Sequence, residues 1–144
     1  MSEVRELAAG ESHLAAAAML ELRPHFRTAE GVAAKMDEQR SQGYRLAGSF
    51  APGEEEAAGA MGFRVEDKLA YGHAIYIDDL VTRADRRGGG HADALFAFAL
   101  KEARAIGCAI VHLDSGVQAE REAAHRFYFR HGMRIVSYHF ARPA

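Results

Sequence analysis

The chain has 144 residues, of which 49% are hydrophobic and 26% charged, and its formal net charge at pH 7 is −2. This length predicts one domain with a full core, and a charge so close to neutral argues against nucleic acid as a partner. A single cysteine, an amino terminus unlike a leader and the lack of a membrane-spanning apolar run predict a cytoplasmic protein without disulfides or a membrane anchor.

The amino-terminal part of the chain predicts one strand and two helices. The strand is expected over residues 4–8, and apolar side chains recur at helical spacing over residues 11–22. Ser12 is the expected N-cap of this first helix. A second helix is predicted over residues 28–43, with Thr28 as its cap and a glycine at its end.

Three strands follow as an antiparallel meander. They are predicted over residues 44–50, 57–65 and 73–82. Residues 51–56 form the first turn, and the three glutamates in it are interpreted as solvated side chains. The second turn is expected at residues 66–68.

The turn after the third meander strand contains three consecutive glycines, Gly88, Gly89 and Gly90. A helix begins directly afterwards, and its first amides, which have no partner inside the helix, stay open to a ligand. The helix dipole and the neighbouring Arg86 and Arg87 add positive charge. The loop therefore predicts a site for an anion, most simply a phosphate or pyrophosphate, and the alternative is an ordinary strand-to-helix turn.

The carboxyl-terminal part predicts a helix, a strand, a second helix and a last strand. The first helix runs from the glycines to residue 106, and residues 108–113 have the apolar character of a strand covered on both faces. The second helix is expected over residues 119–131 and the last strand over residues 133–140. The order β-α-α-β-β-β-α-β-α-β predicts an α+β fold, an α/β sandwich on a mixed sheet, with the anion site where strand direction changes.

Two motifs resemble those of the GNAT superfamily of acetyl-coenzyme A dependent N-acetyltransferases. The first family motif is an Arg or Gln, two free positions, a Gly, one free position, and a Gly or Ala, and the run from Arg87 through Gly90 to Ala92 matches it. The second motif is an Ala, a Tyr and a Gly at intervals of four. This chain has all three, as Ala124, Tyr128 and Gly132. The resemblance implies one N-acetyltransferase domain, 1–144, with the family's acyl-CoA N-acyltransferase fold.

The resemblance also implies how acetyl-CoA, the expected cosubstrate, would be held. Backbone amides of the loop would grip its pyrophosphate, and these amides belong to Arg87, Gly88, Gly89, Gly90, His91 and Ala92. The backbone of Leu80 and Val81 would pair with the pantetheine arm, with an N–H near Leu80 facing the acetyl carbonyl oxygen. Arg121 stands where many members have an Asn and is a further candidate for a phosphate contact.

Tyr128 is the candidate acid for the leaving sulfur. A phenol has a reference pKa of about 10, so it is protonated at neutral pH and suits a thiolate of comparable basicity. The alternative is a core tyrosine with a satisfied hydroxyl. The matching motif favours the catalytic role.

Asp78 is the candidate base, and Asp79 is a candidate substrate contact. An alkylammonium has a reference pKa of about 10.4, so transfer to its nitrogen requires a base. Asp78 aligns with a Glu of the diamine acetyltransferases, whose Ile-Tyr-Leu-Glu-Asp run resembles residues 75–79. Neighbours on a strand point to opposite faces, so both carboxylates face one site only if a bulge intervenes. The alternative is a strand-end carboxylate in a salt bridge.

Eight histidines raise the question of a metal ion. His125 and His131 lie six residues apart, unlike the four-residue spacing of a helical zinc pair, so no metal is expected. His73 and His91 lie near the predicted site, where they are either proton relays or packing residues.

The sequence favours an N-acetyltransferase that acts on the primary amine of a small molecule. A diamine or polyamine comes first, because the adjacent Asp78 and Asp79 suit a dication, while amino acids, aminoglycosides and protein amino termini stay open as acceptors. The alternatives are a non-catalytic acyl-CoA sensor and a dinucleotide-binding domain, although the latter needs a small residue where Asp93 stands. The chain ends at Ala144 without the extra strand of some relatives, and a homodimer is one way to cover the sheet edge.

Overall fold

The structure is a computed structural model that describes residues 2–144. The chain divides into two compact units, of which the first ends at His112 and the second comprises Leu113–Ala144. The single domain expected from the sequence stays a prediction. Among residues 2–144, no helix is both long enough and apolar enough to cross a membrane.

A five-stranded sheet with the order β1-β2-β3-β4-β5 forms the centre of the first unit. The strands are β1 (Glu3–Leu7), β2 (Arg45–Phe50), β3 (Gly59–Lys68), β4 (Gly72–Thr82) and β5 (Ile110–Leu113). Strands β1 to β4 pair antiparallel, and a helix carries the chain from β4 to β5, which makes the sheet mixed. The predicted α+β fold and meander are confirmed. The turn predicted at residues 66–68 is wrong, because an exposed strand end tolerates charged residues and β3 continues through them.

Three helices pack on this sheet, namely α1 (Ala16–Leu22), α2 (Ala29–Arg40) and α3 (His91–Ala105). Successive residues of a strand point to opposite faces of the sheet. On β3, Ala60 belongs to a buried cluster with Met19 of α1 and Val32 of α2. Phe63, three residues further along β3, meets Phe98 of α3 edge to face. Helices α1 and α2 therefore cover one face of the sheet, and α3 covers the other.

The starts of the first two helices follow the prediction in one case and depart from it in the other. Thr28 caps α2 as expected, and its hydroxyl accepts a hydrogen bond from a backbone N–H of the first turn at 2.9 Å. The predicted cap by Ser12 is wrong, because a 3-10 turn precedes α1 and no side chain caps it. The buried Ser12 hydroxyl instead donates to Asp37 and accepts from Arg40. The Ser12 hydroxyl therefore forms hydrogen bonds with residues distant in sequence and does not cap the helix.

The second unit contains a 3-10 turn, Ala119–Arg121, and α4 (Glu122–Arg130). The predicted helix is confirmed, although none of its residues is buried. The predicted last strand is wrong, because residues 133–140 adopt no strand and Phe140 is 90% exposed. Strand-forming residues make a strand only where a neighbouring strand supplies hydrogen bonds. The expected cover on both faces of β5 is also wrong, since Ile110 remains exposed.

Candidate active site

The glycine loop after β4 presents its backbone to open space. Gly88 has φ 84° and Gly90 has φ 80°, a region that side chains rarely adopt. A Cβ added at either position would meet no atom within 4 Å. Gly90 is also the N-cap of α3, and no side chain caps this helix. The loop and the first turn of α3 therefore fit an anion such as a diphosphate.

The two arginines of the loop differ in what they offer to an anion. Arg86 forms ion pairs with Glu54 and, at 3.1 Å, with Asp85. The Arg86 guanidinium also holds the pKa of the Glu54 carboxyl below its usual range. Arg87 is exposed and has no ion pair within residues 2–144. The positive charge available at the loop therefore comes from Arg87 more than from Arg86.

His91 supports the loop from beneath. Its ring is buried and shares a 2.8 Å hydrogen bond between Nδ1 and the Oγ of Ser49. A Cβ at Gly89 would lie 3.1 Å from Nε2 of this ring, so the loop rests on the imidazole. Burial lowers the pKa of His91, which keeps the ring neutral at neutral pH. A packing role therefore describes this side chain better than a proton relay.

Within residues 2–112, the end of β4 next to the loop pairs with a strand on one side only. On one side, Leu80 pairs with Met61 and Val81 with Ala60 of β3. On the other side β5 has only four residues, and the bond from the Ala109 N–H to the His73 carbonyl places it at the start of β4. The far end of β4 therefore has backbone groups on the β5 side that a ligand could pair with.

A bulge brings both candidate carboxylates to one cavity. Across the β3–β4 pair, Gly62 faces Asp79 and Phe63 faces Ile77, so Asp78 is the extra residue. Asp78 and Asp79 consequently line the same cavity, which has a volume of about 290 Å³. The cavity is lined by Met19, Arg23, His25, Phe26, Val32, Lys35, Met36, Gln39, Tyr44, Asp78 and Asp79.

Both oxygens of Asp79 are engaged in this cavity. Oδ1 accepts from Nε of Arg23 at 2.9 Å, and Oδ2 accepts from the Tyr44 hydroxyl at 2.9 Å. A Cβ at Gly62 would lie 1.8 Å from that hydroxyl, so only glycine leaves room for it. Burial raises the pKa of Tyr44, which keeps its proton on the oxygen that donates. Sequence reasoning missed Arg23 and Tyr44, since neither belongs to a motif.

One carboxylate oxygen of Asp78 has a hydrogen-bond partner, and the other has none within residues 2–144. Oδ2 accepts from Nε of Arg64 at 3.0 Å. Oδ1 is buried and has no hydrogen-bond partner within residues 2–144. Burial raises the pKa of this carboxyl, and the Arg64 guanidinium partly opposes that shift. Asp78 is therefore a carboxylate of increased basicity with one buried oxygen that no group within residues 2–144 satisfies.

In the second unit, Tyr128 lies on α4 and is half-buried. Burial raises the pKa of its hydroxyl, and the guanidinium of Arg121 partly opposes the shift. The structure thus brings Arg121 to Tyr128, and the phenol stays protonated at neutral pH. Among residues 2–144, no three His, Cys, Asp or Glu side chains are grouped so that they could hold a metal ion.

The sheet, the glycine loop and the bulged strand are features of an acyl-CoA N-acyltransferase fold. The model of the Acetyltransferase (GNAT) family matches residues 11–133. Because that match spans most of the chain, this chain belongs to the Acetyltransferase (GNAT) family.

The chain is similar to proteins whose names differ in the substrate that they mention. It is 42% identical over 73 residues to the uncharacterized N-acetyltransferase YhdJ of Bacillus subtilis (strain 168), which is 50% of each chain. The match thus spans about half the length of that curated relative. An aminoglycoside acetyltransferase from an uncultured soil metagenomic sample has a TM-score of 0.81 at 22% identity, covering 100% of this chain and 99% of that chain. A ribosomal-protein-alanine N-acetyltransferase from Brucella melitensis biovar Abortus 2308 has a TM-score of 0.79 at 17% identity, with 100% of both chains covered. These two likenesses show the fold alone.

Proposed function

We propose that the protein is an N-acetyltransferase that moves the acetyl group of acetyl-CoA to the primary amine of a small molecule. Bound acetyl-CoA would supply a thioester, and in a direct transfer the C–S bond breaks as the C–N bond forms. The observation that carries this proposal is the bulge in β4. It brings the half-buried Asp78 carboxylate to a cavity on the same strand that leads into the open glycine loop.

Binding is proposed to rest on backbone groups. The amides of residues 87–92 and the guanidinium of Arg87 hold the diphosphate, while the edge of β4 at Leu80 and Val81 pairs with the pantetheine arm. The N–H at Leu80 donates to the carbonyl oxygen, and the loss of such a donor costs about 3 kcal/mol. The open space in front of Gly88 and Gly90 supports this arrangement.

Proton transfer is proposed to use Asp78 on β4 and Tyr128 on α4. Oδ1 of Asp78, the oxygen without a hydrogen-bond partner within residues 2–144, accepts a proton from the incoming ammonium. Arg64 holds the carboxyl in place. Asp79 contacts the substrate within the geometry set by Arg23 and Tyr44. Tyr128 gives its proton to the departing sulfur, a role supported by its motif and by its protonated state at neutral pH.

The test is thiol release from acetyl-CoA in the presence of single primary amines, with the acetylated product identified by mass spectrometry. We expect release that depends on the amine. Stabilisation by acetyl-CoA without release for any amine would instead favour the acyl-CoA sensor. A cytoplasmic location and a homodimer stay predictions, which cell fractionation and light scattering would test.

A further inference from the structure

Two carboxylates line the cavity beside β4, and only one of their four oxygens has no hydrogen-bond partner within residues 2–144. Both oxygens of Asp79 already accept hydrogen bonds, from Arg23 and from Tyr44. Oδ2 of Asp78 accepts from Arg64, and Oδ1 of Asp78 alone is left without a donor within residues 2–144. A second ammonium at Asp79 would therefore have to share carboxylate oxygens that already accept from Arg23 and Tyr44.

The charge around the cavity does not favour a second cation either. Arg23 and Lys35 line the cavity, and Lys35 itself pairs with Glu38 at 3.3 Å. Together with the guanidinium of Arg64, these cations balance Asp78, Asp79 and Glu38. The site is therefore near neutral in charge, whereas two unpaired carboxylates would have made it strongly acidic. The sequence argument for a dication depended on those unpaired charges.

The rest of the cavity lining mixes polar and apolar side chains. His25, Gln39 and Tyr44 are polar, whereas Phe26 is apolar and lines the cavity from the turn between α1 and α2. The volume of about 290 Å³ lies just below the usual range for ligand pockets, about 300–1,000 Å³. A second charge on the acceptor would lose its hydration here without gaining an unpaired counter-charge.

We propose that the acceptor is a primary monoamine, and that this cavity discriminates against diamines and polyamines. The ammonium pairs with the Asp78 carboxylate, and the body of the amine lies beside Phe26. The inference rests on the proposed function, because it assigns the acceptor of that same reaction.

The test compares acceptors that differ only in a second ammonium. Thiol release from acetyl-CoA is measured with 1-aminohexane and with 1,6-diaminohexane at matched concentrations. We expect kcat/KM for the monoamine to be at least about tenfold higher. An equal or higher value for the diamine would overturn the inference and leave the acetyltransferase intact. If no amine causes thiol release, the proposed function is overturned, and the inference with it.

A matched pair of variants tests the physical cause. Arg23→Gln removes a cation from the cavity and frees Oδ1 of Asp79, so the monoamine preference should fall toward unity. Arg27→Gln makes the same chemical change at an exposed residue outside the cavity lining, and the preference should stay. A preference that is unchanged in Arg23→Gln would overturn the charge explanation.

Discussion

The glycine loop and the cavity lined by Asp78 and Asp79 lie along the same strand, β4, yet they are built in different ways. The loop uses backbone groups of one continuous segment, residues 87–92, and almost no side-chain chemistry. The cavity uses side chains from α1, α2, β4 and the segments that follow the two helices, of which Arg23, Tyr44 and Asp79 bind one another. A site made of local backbone is visible in a sequence, whereas a site made of long-range side-chain pairs is not.

The largest effect is expected from a side chain placed in the glycine loop. Gly90→Glu puts a carboxylate and a strained φ where the diphosphate would bind, so binding of acetyl-CoA should weaken by at least about a hundredfold. Thermal-shift titration with acetyl-CoA measures this loss.

Gly107→Glu is the matched control for that variant. Gly107 follows the other end of α3, has φ 77°, and a Cβ there also meets no atom within 4 Å. It should suffer the same backbone strain and keep cofactor binding. Equal stabilisation of both variants by acetyl-CoA would refute the assignment of the loop.

The next largest effect is expected in the cavity. Asp78→Asn removes the proposed base, so kcat/KM should fall by about 10²–10⁴-fold while acetyl-CoA binding persists. Steady-state thiol release measures the change. Asp67→Asn, at an exposed ion pair with His73, is the control and should leave the rate unchanged.

The pH profile follows from the same residue. Burial raises the pKa of Asp78, so the base is lost as pH falls through that raised value. The acid limb of kcat/KM should therefore lie above the reference of about 3.9 and disappear in Asp78→Asn. If the acid limb persists unchanged in Asp78→Asn, it reports the titration of the substrate amine and not of Asp78.

A smaller effect is expected for the acid. Tyr128→Phe should lower kcat by about tenfold or more, because the departing sulfur loses its proton donor, while binding of acetyl-CoA persists. Tyr138→Phe, at an exposed tyrosine of the same unit, is the control. Equal rates for wild type and Tyr128→Phe across neutral pH would remove Tyr128 from the mechanism.

The smallest effect concerns the support beneath the loop. Ser49→Ala leaves the buried Nδ1 of His91 without its partner, which should lower the free energy of unfolding by about 1–3 kcal/mol. Chemical denaturation measures this value, with Ser137→Ala as the exposed control. Cofactor affinity should change by less than about tenfold, since the backbone amides remain. A larger loss of affinity would show that side chains of the loop, and not only its backbone amides, contribute to binding the cofactor.

Much of the fold and half of the site could be predicted from local signals. The strands of the meander, the loop and the helix start at His91 follow from residue types within a few positions. The bulge at Asp78 was only a condition in the prediction, because register depends on β3 as well as β4. The pairing of Asp79 with Arg23 joins residues 56 positions apart, and local pattern carries no information about it. For the same reason, strand propensity over residues 133–140 did not produce a strand.

The most direct test of the central claim is a crystal structure with coenzyme A. We expect the diphosphate within hydrogen-bond distance of the amides of Gly88, Gly89 and Gly90, with the pantetheine arm along Leu80 and Val81. Coenzyme A bound to other residues, or a loop without the diphosphate, would contradict it.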